Sequence, residues 1–264
     1  CTIAAPGSYS IAARSELVGD ENTANDEVTG SINAALPLAG TYSVGTGGDF
    51  SSLTNAGGIF DVLNSVGSTG SVTINITADL TGENGAIALN ELASGQPVLI
   101  RPLGGARTIT GSSTNSIIRL NGADNVTIEG SLSGGTASGV GGNGAIRDLT
   151  VQNTSAAATA GAVIAVMTGT NGAQNNTIRN VNIVGQDPTQ TLIGIHLGGN
   201  APGSSGADND NNVVENCSFK RSFIGIYNTG TSAANPNTGN VVTMNDMTAT
   251  GADRLRRAGI FFFN

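Results

Sequence analysis

Beyond about residue 97 the chain repeats itself, and repetition is the property that most restricts what it can fold into. One recurring unit is a glycine followed by an apolar run: Gly161-Ala-Val-Ile-Ala-Val166, Gly194-Ile-His-Leu197, Gly225-Ile-Tyr-Asn228 and Gly259-Ile-Phe-Phe262. These glycines return about every 33 residues, within the range of stacked-repeat architectures. The second unit opens on asparagine: Asn125-Val-Thr-Ile-Glu129, Asn176-Thr-Ile-Arg-Asn-Val-Asn-Ile183, Asn212-Val-Val-Glu-Asn-Cys-Ser-Phe219 and Asn240-Val-Val-Thr-Met-Asn-Asp-Met247. Asp148-Leu-Thr-Val-Gln-Asn153 completes the Asn125 unit, with the glycine-rich 133–144 stretch looped out between.

The two units alternate, so each repeat reads strand, loop, strand, strand, loop. One repeat cannot bury its own apolar face; stacking on its neighbours does so. The sequence therefore predicts parallel strands stacked at about 4.7–4.9 Å. Ile195, Ile226 and Ile260 should fall on adjacent strands, and Asn176 and Asn212 should align at turns with their amides bonding along the stack. Met244 stands where the second asparagine of the unit belongs, so one rung of that ladder should be missing. Within Val213–Phe219, Val214 should face the core and Glu215 the solvent. Cys217 should be buried at the position held one repeat earlier by Val181.

Composition narrows the function classes. Charged residues make up 11%, aromatics 4%, and the net charge is −8, which disfavours nucleic acid as a partner because phosphates would be repelled. With 38% hydrophobic residues and 39 glycines the chain is not a simple disordered tract but a set of short strands joined by tight turns. Its apolar runs are too short to span a bilayer. The two cysteines, Cys1 and Cys217, make neither a disulfide framework nor a metal site. Cys1 reads either as an internal residue of a longer protein or as a lipid-modified mature N-terminus.

Residues 1–39 differ from the rest. Gly7–Ala13 and Glu27–Ile32 alternate as strands around turn chemistry in Gly19–Asp26, a hairpin that needs more sheet to be stable. Residues 40–264 form the second region. There Gly40–Phe50 reads as a strand and glycine turn, and Leu53, Ala56, Ile59, Phe60 and Leu63 follow helical spacing, with Ser51 or Ser52 as the N-cap. Ser71–Thr77 alternates as a strand. The chain stops in mid-strand at Ile260–Asn264, an uncapped apolar edge, so the native protein is expected to continue.

These features carry two resemblances. The strand, Gly-Asp-Phe turn, amphipathic helix and strand of 40–77, followed by Asn-x-Ile-x-Asn-type repeats, resembles the pectin-lyase-like proteins. That implies an all-β, right-handed parallel β-helix with an N-terminal capping helix over 40–264. The 1–39 hairpin resembles the closing strands of Ig-like modules in large bacterial cell-surface proteins of the Bacteroidota kind. Together they imply an extracellular, cell-surface scaffold or adhesin segment that contacts neighbouring modules of its own chain and surface or extracellular polysaccharide. A carbohydrate-active enzyme with catalytic coils outside this segment, or a fibre or sheath subunit, are the alternatives.

Site residues are sparse. The Asn-Thr-Asp, Asp-Asp, Gly-His-Gly and Arg-Ile-Lys motifs of galacturonan hydrolases do not occur. Asp208-Asn-Asp210 offers oxygen ligands for Ca²⁺ at Asp208 and Asp210, against the alternative of a solvated Asx turn; no other cofactor is implied. His196, the single histidine, sits between Ile195 and Leu197 and should point outward as a surface residue. Tyr227, Phe261 and Phe263 alternate and offer a sugar-stacking face, while Phe219 and Phe223 read as core. Arg254, Arg256 and Arg257 form the one basic cluster, suited to an acidic glycan or a neighbouring module.

Overall fold

The computed structural model describes residues 7–15, 19, 22, 26–34, 36–93, 95–135 and 138–263, with backbone alone at 7, 8, 33 and 34. Cys1, Asn264 and most of the 16–25 turn lie outside the described residues. The chain divides into two compact units, at Pro37 and Leu38. In the first, β1 (Gly7–Arg14) pairs antiparallel with β2 (Glu27–Ala34), Ile11 opposite Gly30. Its apolar side chains Ile11, Val28 and Ile32 are exposed.

The second unit opens with β3 (Leu38–Val44), helix α1 (Ile59–Val66) and β4 (Ser68–Ile76). Short strands follow: β5 (Leu80–Thr81), β6 (Leu89–Asn90), β7 (Val98–Pro102), β8 (Arg107–Gly111), β9 (Ser116–Asn121), β10 (Val126–Glu129) and β11 (Leu149–Asn153). The last are β12 (Ala160–Met167), β13 (Thr177–Arg179), β14 (Val181–Val184), β15 (Thr191–Gly198), β16 (Val213–Glu215), β17 (Ser218–Lys220), β18 (Ile224–Thr229), β19 (Val241–Thr243) and β20 (Ala258–Phe263).

These strands visit three parallel sheets in rotation. The first sheet runs β3-β4-β7-β10-β13-β16-β19, the second β5-β8-β11-β14-β17, and the third β6-β9-β12-β15-β18-β20. Ile195 lies opposite Ile226, and Ile226 opposite Ile260, as the glycine-led repeats predict. Apolar side chains from all three sheets, among them Ile100, Ile128, Val151, Ile183, Ile195 and Ile226, meet in one core. The rotation begins near residue 68, earlier than the repeats show, because β5 and β6 are only two residues long and carry no periodicity.

Register corrects one equivalence. Ile164 lies opposite Ile195, which puts Val163, not Gly161, beside Gly194. Gly161 is a left-handed residue (φ 74°) that enters the strand; Gly194 has a packing role. A Cβ at Gly194 would stand 2.6 Å from the Gly225 carbonyl oxygen and 2.8 Å from the Phe219 ring, so the sheet corner closes over Phe219 only with glycine there.

Helix α1 starts at Ile59 rather than near Ser52. Gly57 is left-handed (φ 74°), which interrupts any helix arriving from Ser51. Residues 52–55 wrap instead around the buried Glu83 carboxylate, which accepts from the Ser52 and Thr54 hydroxyls and from the Leu53 and Thr54 amides at 2.6–3.0 Å. Ile59, Phe60 and Leu63 are fully buried and join the core with Val44 and Leu53.

Asparagines hold the turns. Asn212 Oδ1 accepts from the Asn176 amide (2.9 Å) and its Nδ2 donates to the Ala173 carbonyl (3.0 Å). Asn176 makes the same pair of bonds with the Val126 amide and Ala123 carbonyl, and Asn240 with the Asn212 amide and Asn209 carbonyl. These side chains therefore bond to the backbone of the preceding repeat rather than to each other. Amide-to-amide bonding occurs at the next turn, Asn216 Nδ2 to Asn180 Oδ1 at 2.7 Å, with Asn180 Nδ2 in turn on Glu129. That ladder stops at Met244. Asn216 Oδ1 is taken by the Asn143 amide and by Arg147 of the 130–148 loop, which lies across these turns.

Candidate functional site

The outer face of the third sheet carries four of the residues singled out by sequence, His196, Tyr227, Phe261 and Phe263. Ile195 and Leu197 enter the core, so His196 does point outward, but it is not a surface residue: it is fully buried. The chain after β15 folds back over it. His196 Nε2 lies 3.1 Å from the Gly199 carbonyl, and a Cβ on Gly198 would touch both the imidazole and the Ser204 carbonyl. A carbonyl only accepts, so the proton sits on Nε2, and Nδ1 is buried without a partner among the described residues. Burial lowers the His196 pKa to about 4, offset in part by the Gly199 hydrogen bond.

On the next strands Tyr227 and Phe261 continue this column. The rings stack at 5.9 Å (His196 to Tyr227) and 5.3 Å with 4° between planes (Tyr227 to Phe261), and Phe263 stands 6.3 Å from Phe261. Tyr227 thus has a ring on each face and offers a partner its edge and hydroxyl. Phe219 is core, as expected. Phe223 is only half-buried, with Arg256 and Arg257 over its ring at 5.6 and 5.8 Å from the centroid. Arg257 also lies 5.6 Å from Phe261, and Arg254 turns back onto the Gly251 carbonyl. Arg256 and Arg257 therefore share the Phe223 ring, while Arg254 is engaged with its own loop.

Asp208 and Asp210 straddle the buried Asn209. The Asn209 side chain donates to the Gly198 and Gly206 carbonyls and to Thr168, while accepting from the Ala173 amide. Asp210 Oδ1 accepts from the Thr238 amide at 2.6 Å. Asp208 is exposed and left-handed (φ 65°). It borders a cleft of about 380 Å³ that is also lined by Thr168, Asn200, Ser205, Thr231 and Asn235. Among the described residues no group of three or more His, Cys, Asp or Glu side chains is placed to hold a metal ion. No protein-family model, curated protein or solved structure matches this chain.

Three polar centres escaped sequence reading because their partners are distant in the chain. Glu83 binds the 52–54 turn. Glu129 is buried against Arg179 and Asn180. Arg147, almost wholly buried, donates to the Asn216 and Gly141 carbonyls and pairs with Asp246 at 3.4 Å. Asp246 is held below the usual carboxylate range chiefly by the Thr248 hydroxyl, and Asp253 by Arg221. Cys217 is fully buried beside the Ile178 and Glu215 carbonyls, and burial pushes its thiol up to about 12. Val214 is core and Glu215 half-exposed, in the predicted alternation.

Proposed function

We propose that this chain is a non-catalytic segment of an extracellular surface scaffold or adhesin, built as a right-handed parallel β-helix of the pectin-lyase-like kind. Right-handedness follows from the strong preference of parallel crossover connections for that hand. The 7–34 hairpin is taken as the end of an Ig-like module, and its exposed Ile11, Val28 and Ile32 are the apolar face that further sheet would cover.

The observation that carries the reading is how the acidic groups are used. Glu83, Glu129, Asp246 and Asp253 are each committed to hydrogen bonds or ion pairs that fasten a turn or loop. Their lone pairs support architecture: Asp246 and Asp253 share a cleft of about 320 Å³ with Lys220, but Thr248 and Arg147 hold the first and Arg221 the second, so neither stands free as the acid or base that sugar hydrolysis or elimination requires. No helix among the described residues is long and apolar enough to cross a membrane. In this role the outer faces of the stack contact polysaccharide and the ends contact neighbouring modules.

The test is incubation of the purified chain with acidic and neutral polysaccharides, with retention on each polysaccharide measured in parallel. Retention without release of reducing or unsaturated sugar is expected. Turnover abolished by changing Asp208 and Asp210 to Ala would replace the scaffold with an enzyme.

A further inference from the structure

We infer that the cleft beside Asp208 is a binding site for a single neutral sugar residue of a glycan, an inference that rests on the glycan-contact reading above and gives it a location and a ligand class. The cleft's volume, about 380 Å³, is at the small end of ligand-binding pockets. Its polar groups divide into two sets. Thr168 is spent on structure: its hydroxyl meets the Gly198 and Ala207 carbonyls and the Asn209 amide. The others have capacity left over. Asn200 uses only Oδ1, on the Gly169 amide at 3.1 Å, leaving its NH₂ group. The Asp208 carboxylate and the side chains of Thr231 and Asn235 have no hydrogen-bond partner among the described residues.

The backbone that carries Asp208 is fixed from both sides. Its carbonyl is so close to Gly172 that a Cβ there would lie 1.8 Å away, and the neighbouring Asn209 is locked by four hydrogen bonds. A carboxylate with two free oxygens on a fixed backbone can accept from two adjacent hydroxyls at once, while amide NH₂ groups donate to ring or hydroxyl oxygens. That combination suits a polyol. The single carboxylate, in a chain of net charge −8, opposes a uronic acid. Without a ring platform the cleft gives little to an apolar ligand, and a lone monosaccharide should bind at about 1–10 mM.

The experiment is an NMR titration of isotope-labelled chain with glucose, galactose and mannose, with galacturonate and CaCl₂ as separate arms. Retention of wild type and variants on neutral polysaccharides is measured alongside. At least one neutral hexose should shift Asn200, Ser205–Asp208, Thr231 and Asn235, and galacturonate should not. Asp208→Asn tolerates the left-handed backbone and keeps the fold, and it should weaken that hexose about 10-fold or more. Asn235→Ala, on a different loop, should act in the same direction. Shifts elsewhere, no shift with any hexose, or saturation of the same residues by Ca²⁺ alone would overturn the site. Retention on polysaccharide that is unchanged in both variants would overturn this cleft while leaving the scaffold reading intact. A wild type that no polysaccharide retains would overturn both.

Discussion

Acidification tests the buried histidine directly. His196 is neutral in the folded chain, with its proton on Nε2 facing the Gly199 carbonyl and Nδ1 bare beneath the 198–206 loop. A second proton would have to go on Nδ1, placing a charged N–H where none of the described residues accepts it. The folded pKa is about 4, against an ordinary value of 6.5. Above pH 6.5 neither state binds the proton and stability is flat. Between 6.5 and 4 the unfolded chain takes it up and the folded chain does not, so stability falls as the pH falls. Below 4 both are protonated and the loss levels off. At 1.36 kcal/mol per pH unit, the whole window costs about 3 kcal/mol. Carboxylates titrate at its lower end, so the measurement is a difference. Denaturant unfolding of wild type and His196→Phe is compared between pH 7.5 and 4.5. Phe keeps the stack on Tyr227 but leaves the Gly199 carbonyl unpaired, a penalty that is the same at every pH. The gap between the two proteins should shrink or reverse on acidification by about 2 kcal/mol. A gap constant across this range would refute the burial of a neutral imidazole.

Asn212→Ala removes two hydrogen bonds to the preceding repeat and strands the buried Asn176 amide and Ala173 carbonyl, so denaturant unfolding should show a loss of about 2–4 kcal/mol. Glu83→Leu leaves the Leu53 and Thr54 amides without an acceptor, and should cost about 3 kcal/mol or more, with hydrogen exchange quickening first in residues 52–66. Cys217→Val should change stability by less than about 1.5 kcal/mol, whereas Cys217→Asp should cost several; the native thiol should resist alkylation until the chain unfolds.

Sequence alone determined which residues face inward and which repeats lie beside one another. Strand alternation has a fixed period of two, so Ile195 and Leu197, or Val214 and Glu215, are sorted by position without knowledge of their surroundings. Val181 and Cys217 fall in one column because Asn182 lies opposite Ser218, as counting from the asparagines required. Loss of the ladder at Met244 was equally visible, since an amide cannot be replaced by a thioether. The tertiary structure decided what covers the outer faces. His196 is outward by alternation yet buried, because the ten or so residues after β15 double back, and nothing local in their composition sets that path. Gly161 and Gly194 look alike in sequence, but one supplies a left-handed turn and the other makes room for Phe219. The partners of Glu83 and Arg147 lie about 30 and 70 residues away in the chain, beyond any periodic pattern. The cleft at Asp208 is of the same kind. Its lining comes from three separate loops that only the stacking of successive repeats brings to one place.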